Sequence, residues 1–530
     1  MTRGDRAAAG RSAAGEQNGD RVNEHLRPQW IRGTGWRRAA ASHCCARALA
    51  RVAGVAGVLV LVALALPGCS SWVGNLDTGP GTTTTGAVHS ANKPIEPSSA
   101  AEREHRRILA SYGGPYRDAK VEAMISGIVD KLVAASERPD MRYRVTILNS
   151  PAINAFALPS GDLYITRGLV GLADDSSELA SVLAHEMAHV LARHAAIREN
   201  QARKVAMLAT ASADPNDTTG ALALAKTKLA LADFSRAQEL EADAIGVGIA
   251  SRAGFDPHGA PRFLEAMGRF AALRSASGTD ARSLDFLASH PATPERVANA
   301  LANARNYPAG ARGEAPYLAA IDGLVYGEDP VDGFVRGRRF LHPKLGFAFT
   351  APEGFSLENT AQAVLGSAPG GDRALRLDIV KAPSGQTLAQ YLKSGWIEAI
   401  EPGSVEETRI GGFPAITATA TGDPWWFRIV VVQYGDELYR FVFASKTRSA
   451  EIDKALMDSV GTFRRLSLAE AASAKPSRIE VVTVKPGDTV ESLAARTVLG
   501  GRKVERFRVL NGLSDTASVK PGERVKLVVE

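Results

Sequence analysis

The chain has 530 residues, 45% of them hydrophobic and 23% charged, and a net charge of +6. That excess lies wholly in residues 1–69, which hold ten Arg, no Lys and four acids, so the rest of the chain is neutral, with 53 basic and 53 acidic residues. A neutral body without a basic cluster argues against nucleic-acid binding. The only cysteines are Cys44, Cys45 and Cys69, so the body beyond them has no disulfide, thiolate zinc site or thiol nucleophile.

The length leaves room for two to four domains. The first ~45 residues are rich in Arg, Ala and Gly and show no periodicity. An apolar run at 52–66 follows Arg47 and Arg51, which reads as a secretory signal and is short for a membrane-spanning helix. It ends in Leu66-Pro67-Gly68-Cys69, which resembles a bacterial lipobox. That resemblance implies lipidation of Cys69 and a periplasmic, membrane-anchored protein, most simply at the outer membrane; a transmembrane anchor or an ordinary cleaved signal are the alternatives. Residues 1–69 are thus expected to be an extension plus signal. Residues 70–99, rich in Gly, Thr, Ser and Pro, are expected to be a flexible tether.

From 100 to 310 the pattern is mainly helical. Helices are expected at 100–111 and 116–138, a strand at 142–148, and two short strands around the Pro159-Ser160-Gly161-Asp162 turn. A strand beside a metal helix can hold an extended peptide by edge pairing. The stretch 178–194 carries apolar residues at helical spacing with no Pro or Gly, and Asp175 with Glu178 suggests a cap. Within it stand His185, Glu186 and His189 as His-Glu-x-x-His. Positions four apart share a helix face, so both imidazoles can meet one ion, and Glu186 can reach a water bound there. A helical stretch at 195–231, broken at 213–220, leads to a helix bearing Glu239, Glu241 and Asp243. Glu239 and Glu241 lie about 200° apart, so only one can face the ion, and only Glu239 has an acid four residues on. His194, about 180° from His185, is expected to pack or hydrogen-bond rather than ligate. His105, His258 and His342 stand in no motif.

His-Glu-x-x-His followed about fifty residues later by Ser235-Arg-x-x-Glu239-x-Glu241-Ala-Asp243 resembles the gluzincin metallopeptidase family of the CAAX prenyl endoprotease, in its soluble periplasmic branch. The segment Asn154-Ala-Phe-Ala-Leu-Pro159 and Ser289-His290-Pro291 with Arg296 fit the same pattern. The resemblance implies one zinc ion held by His185, His189 and Glu239, with Asp243 supporting a ligating histidine. It also implies Glu186 as general base, and His290 near enough to plug the open coordination position as a latch, with Arg296 beside it. Two His and one Glu are a ligand set that leaves a place for water. The simpler expectation for 289–294 is a cap on the following helix.

Beyond a Pro- and Gly-rich boundary at 306–316 the pattern changes to strands, with a hairpin at Tyr434-Gly435-Asp436-Glu437, and helices at 387–397 and 450–463. Residues 320–468 read as an α+β antiparallel-sheet domain without a chemical motif. Trp425-Trp426 is expected to pack on the sheet. After a linker at 469–477, residues 478–530 repeat Val-Lys-Pro-Gly at 484 and 519 and resemble a LysM domain, a βααβ fold. That implies binding of N-acetylglucosamine-containing glycan, most naturally peptidoglycan.

The expected architecture is therefore multidomain: a zincin-type, mainly helical peptidase domain with a small sheet, then the α+β domain, then the LysM-like domain. The expected function is a zinc endopeptidase of the cell envelope acting on unfolded or misassembled proteins. The alternative is a wall-bound scaffold or chaperone with a latched metal site.

Overall fold

The structure, a computed structural model, describes residues 99–211, 218–276, 286, 290–397 and 399–530, with the backbone alone for 204–211, 218–234 and 276. The expected signal, Cys69, the tether up to residue 98 and residues 213–217 of the break expected at 213–220 lie outside the described residues, while 218–220 already belong to helix Thr218–Arg252.

The first body begins with two capped helices, Ala100–Ser111 and Ala119–Ala135. The second is shorter than expected because Asp118 caps its start and the chain turns extended at Ser136. Its apolar stripe, Val121, Ile125, Ile128, Val129 and Leu132, is buried. A small sheet follows. Its central strand Asp162–Thr166 is wholly buried and pairs in parallel with Arg144–Leu148 and antiparallel with Ala155–Ala157. The hairpin turn requires Gly161, at φ +91°, where a Cβ would lie 2.4 Å from the Arg142 carbonyl.

Helix Ser176–Leu191 runs through the middle of this body, and residues 176–188 are all buried. Asp175 caps it by accepting from the backbone N–H of Ser177 and Glu178. Glu178 does not close the expected reciprocal cap; its carboxylate accepts from the N–H of Asp174 instead. The long helix Thr218–Arg252 crosses it at close range. A Cβ at Gly246 would sit 3.0 Å from the backbone nitrogen of His185, so glycine there lets the two helices touch.

The expected boundary at 306–316 falls inside this body. Helix Glu314–Ile321 places Tyr317, Leu318 and Ile321 in the first hydrophobic core, which also takes in Ile479 and Val509 from the C-terminal module. Strand Val325–Tyr326 then pairs antiparallel with the start of strand Ser477–Thr483. Residues between these two strands therefore form an insertion whose ends lie side by side. The insertion holds a seven-stranded antiparallel sheet, in the order 406–410, 413–422, 425–434, 437–445, 373–381, 364–367, 356–359, and a smaller four-stranded sheet. Helix Ala450–Gly461 contributes to the phenylalanine-rich core on one side. The short helix Leu388–Leu392 covers the other, ending before Gly395 at φ +91° rather than continuing to 397. Trp426 is buried in the first of these cores. The expected linker at 469–477 is instead a capped helix, Leu468–Ser473, running into strand Ser477–Thr483.

The C-terminal module has two antiparallel strands, Ser477–Thr483 and Arg524–Val529, around helices Val490–Ala495 and Lys503–Leu510. It is fastened to the first body by Lys526, which is 1% exposed. Its Nζ lies 3.1, 3.1 and 2.8 Å from the carbonyl oxygens of Gly171, Leu172 and Ala173, and 2.9 Å from Oδ1 of Asp174. These carbonyls end helix Arg167–Leu172, where a cation is favoured, and Asp174 immediately precedes the cap of helix Ser176–Leu191. Replacing Lys526 with Met strands Asp174 and three carbonyls, which costs about 3 kcal/mol. Hydrogen exchange is expected to show faster opening in residues 167–191 of Lys526→Met, whereas a freely jointed C-terminal module would leave those amides unchanged.

Candidate metal centre

The crossing of the two long helices gathers the site. His185 and Glu186 are buried on the first, and Glu239 and Asp243 on the second. His185 Nε2 and His189 Nε2 are 3.0 Å apart. Glu239 places Oε2 3.4 Å from His185 Nε2 and Oε1 3.4 Å from His189 Nε2. His290 enters from the segment before helix Pro294–Ala304, with Nδ1 2.8 Å from Glu239 Oε2 and 3.3 Å from His185 Nε2. The four ligand atoms lie within 4.8 Å of one another.

These residues fit a metal ion. Tetrahedral zinc with ligands at about 2.0 Å sets them about 3.3 Å apart, close to the separations found. Glu239 Oε1 and Glu186 Oε1 are buried without a hydrogen-bond partner, as expected of oxygens facing a cation and its ligand. Electrostatics point the same way. Burial and the neighbouring His185 push His189 down to about 2. Burial also works against charge on His185, yet Asp243 and Glu239 lift it to about 9. Glu239 overcomes burial through His185 and His290 and stays well below the usual carboxylate range.

Around the ligands a second set of contacts fixes their orientation. Asp243 Oδ1 lies 2.9 Å from His185 Nδ1, although that N–H is not aligned as a hydrogen bond. Arg296 grips Asp243 in bidentate fashion, Nε to Oδ2 at 2.8 Å and Nη2 to Oδ1 at 2.7 Å. Its Nη1 donates to the Pro291 carbonyl and stands 3.2 Å from Glu239 Oε2. Burial opposes the Asp243 charge, but Arg296 and His185 hold it down at about 2. Arg296 is thus an ion-pairing group. Thr293 caps helix Pro294–Ala304, and His290, four residues before that helix, lies beside Glu239 and His185.

Glu241 points away, with a 59% exposed side chain, 3.4 Å from His194 Nε2. His194 is buried and its Nδ1 lies 2.8 Å from His189 Nδ1. His105 meets the Tyr164 hydroxyl at 2.8 Å, His258 meets Asp256, and His342 is buried in the inserted domain. Two neighbours had no sequence motif to mark them. Phe286 stacks on His290 with ring centroids 4.5 Å apart, and Arg198 reaches within 3.3 Å of His189 Nδ1.

Residues 117–304 match peptidase family M48, and residues 482–528 match the LysM domain. The chain carries an M48 peptidase domain. Similar proteins include the mitochondrial metalloendopeptidase OMA1 of Schizosaccharomyces pombe, 30% identical over 200 residues, covering 37% of this chain and 58% of that protein. The beta-barrel assembly-enhancing protease of Escherichia coli is 31% identical over 194 residues, covering 34% of this chain and 39% of the relative. OMA1 of Arabidopsis thaliana is 32% identical over 165 residues, 31% of this chain and 32% of that protein. Each match spans less than two thirds of the relative's length. Among the described residues no helix is long and apolar enough to cross a membrane.

Removing Arg296 takes from the buried Asp243 and Glu239 carboxylates the guanidinium they share. Arg296→Met is expected to lower the stability of the metal-free chain by about 3 kcal/mol in urea unfolding with chelator present. An unshifted midpoint contradicts the ion-pair role.

Proposed function

We propose that the chain is a zinc-dependent endopeptidase of the bacterial cell envelope that degrades misfolded or misassembled envelope proteins. One observation carries this reading: the His185 and His189 Nε2 atoms stand 3.0 Å apart with the two Glu239 oxygens each 3.4 Å from one of them, with the buried Glu186 carboxylate beside His185 and an edge strand alongside. His185, His189 and Glu239 would hold the ion. Zinc, when bound, supplies a Lewis acid and a water acidified toward pH ~7. Glu186 would serve as the general base that takes a proton from the attacking water and returns it to the leaving amine. Burial raises the Glu186 carboxyl, a direction that suits a residue which must both accept and release a proton.

Substrate would lie in the cleft of about 1080 Å³ lined by Phe156, Ala157, Glu186, His189, Arg198 and His290. Strand Ala155–Ala157 is the outer strand of its sheet, so its free edge can pair with an extended, unfolded segment. This favours unfolded protein over a folded substrate. The apolar run at 52–66 and Cys69 support export and lipid anchoring at the outer membrane, and the name of the Escherichia coli relative fits an envelope substrate. The LysM match supports attachment to peptidoglycan.

His290 favours a second state of the same site. It stands where a fourth ligand would, within 3.3 Å of two of the other three. In this state the site is latched, and the protein acts as a wall-bound scaffold or chaperone until His290 withdraws.

Glu186→Gln is expected to retain zinc and lose at least about 100-fold in cleavage of an unfolded protein such as reduced casein. His290→Ala is expected to cleave faster than the parent. Equal cleavage by parent and Glu186→Gln rules out the peptidase reading, and slower cleavage by His290→Ala rules out the latch.

A further inference from the structure

The two imidazoles of the metal helix have different outer partners. His185 Nδ1 faces a carboxylate, Asp243. His189 Nδ1 faces another imidazole, His194 Nδ1, at 2.8 Å, and His194 Nε2 in turn faces Glu241 Oε2 at 3.4 Å. On a continuous helix residues 189 and 194 would lie about 140° apart and could not meet. They meet because the metal helix stops at Leu191 and Arg193 turns left-handed, at φ +55°, before the next helix starts at His194.

Two ring nitrogens 2.8 Å apart need one N–H and one lone pair. A histidine that ligates through Nε2 keeps its proton on Nδ1. His189 therefore donates and His194 accepts, which leaves the His194 proton on Nε2, facing the Glu241 carboxylate. Arg198 Nη2 also approaches His189 Nδ1, at 3.3 Å, but a guanidinium only donates. That contact cannot be a hydrogen bond once Nδ1 carries a proton, so the ion selects His194 as the partner. Arg198 keeps its bond from Nε to Gln238 Oε1.

We propose that His194 is a positioning residue that fixes the tautomer and ring orientation of His189, and that Glu241 holds His194 in turn. This rests on the reading of His185, His189 and Glu239 as zinc ligands. It assigns Glu241, the unused acid of the Glu-x-Glu pair, to the outside of the same centre.

The test is the zinc dissociation constant of the full chain, measured by competition with a chromophoric chelator, with melting of the zinc-free form as the folding control. His194→Ala is expected to weaken zinc about 10–100-fold. His194→Asn, whose amide oxygen can still accept from His189, is expected to stay within about twofold of the parent, and Glu241→Ala to weaken zinc by about fivefold. Parent-like affinity in a folded His194→Ala overturns the proposal. Should that variant fail to fold, parent-like affinity in Glu241→Ala, an exposed position, overturns it. A parent chain that takes up no zinc is a separate result, which removes the ligand reading itself.

Discussion

Two imidazole nitrogens 3.0 Å apart, each 3.4 Å from a carboxylate oxygen, form a cluster that is costly to bury unless a cation sits among them. Much of the first body serves to hold that cluster in place. The metal helix is buried along residues 176–188. It is pinned at its start by Asp175, which Arg262 and Arg312 also grip, at 3.0 and 2.8 Å. Gly246 brings the second helix close enough for Glu239 to reach both rings. Arg296 then balances Glu239 and Asp243 together, so the surrounding charges orient the ligands and offset the carboxylates in the metal-free chain.

The same constraint extends to the far end of the sequence. Lys526 closes the carbonyl end of helix Arg167–Leu172 and pairs with Asp174, one residue before the cap of the metal helix. The LysM module thus shares a core and an ion pair with the M48 domain, and the β-rich domain is looped out between two paired strands.

The site was legible in the sequence because its spacing is local. His185, Glu186 and His189 lie within one turn and a half of helix, and the four-residue step from Glu239 to Asp243 marks which acid turns inward. The outer contacts were less legible because they depend on tertiary approach. His194 reads as misplaced by helical geometry until the turn at Arg193 is known, and Arg198 lies on a segment with no motif. Lys526 sits in an alternating strand and reads as an ordinary surface lysine; nothing within several residues marks it as buried. The short strands 356–359, 364–367 and 406–410 carry too little alternation to stand out in the sequence; 364–367 and 406–410 are ordered by the longer strands they pair with, and 356–359 by pairing in turn with 364–367.

The central claim is that the two helices close on a single ion. X-ray absorption at the zinc edge, on the full chain loaded with one equivalent, tests it most directly. The account predicts one ion with nitrogen and oxygen neighbours at about 2.0 Å, at least two imidazoles among them, and loss of that spectrum in Glu239→Ala. No zinc uptake, or an identical spectrum in Glu239→Ala, would contradict it.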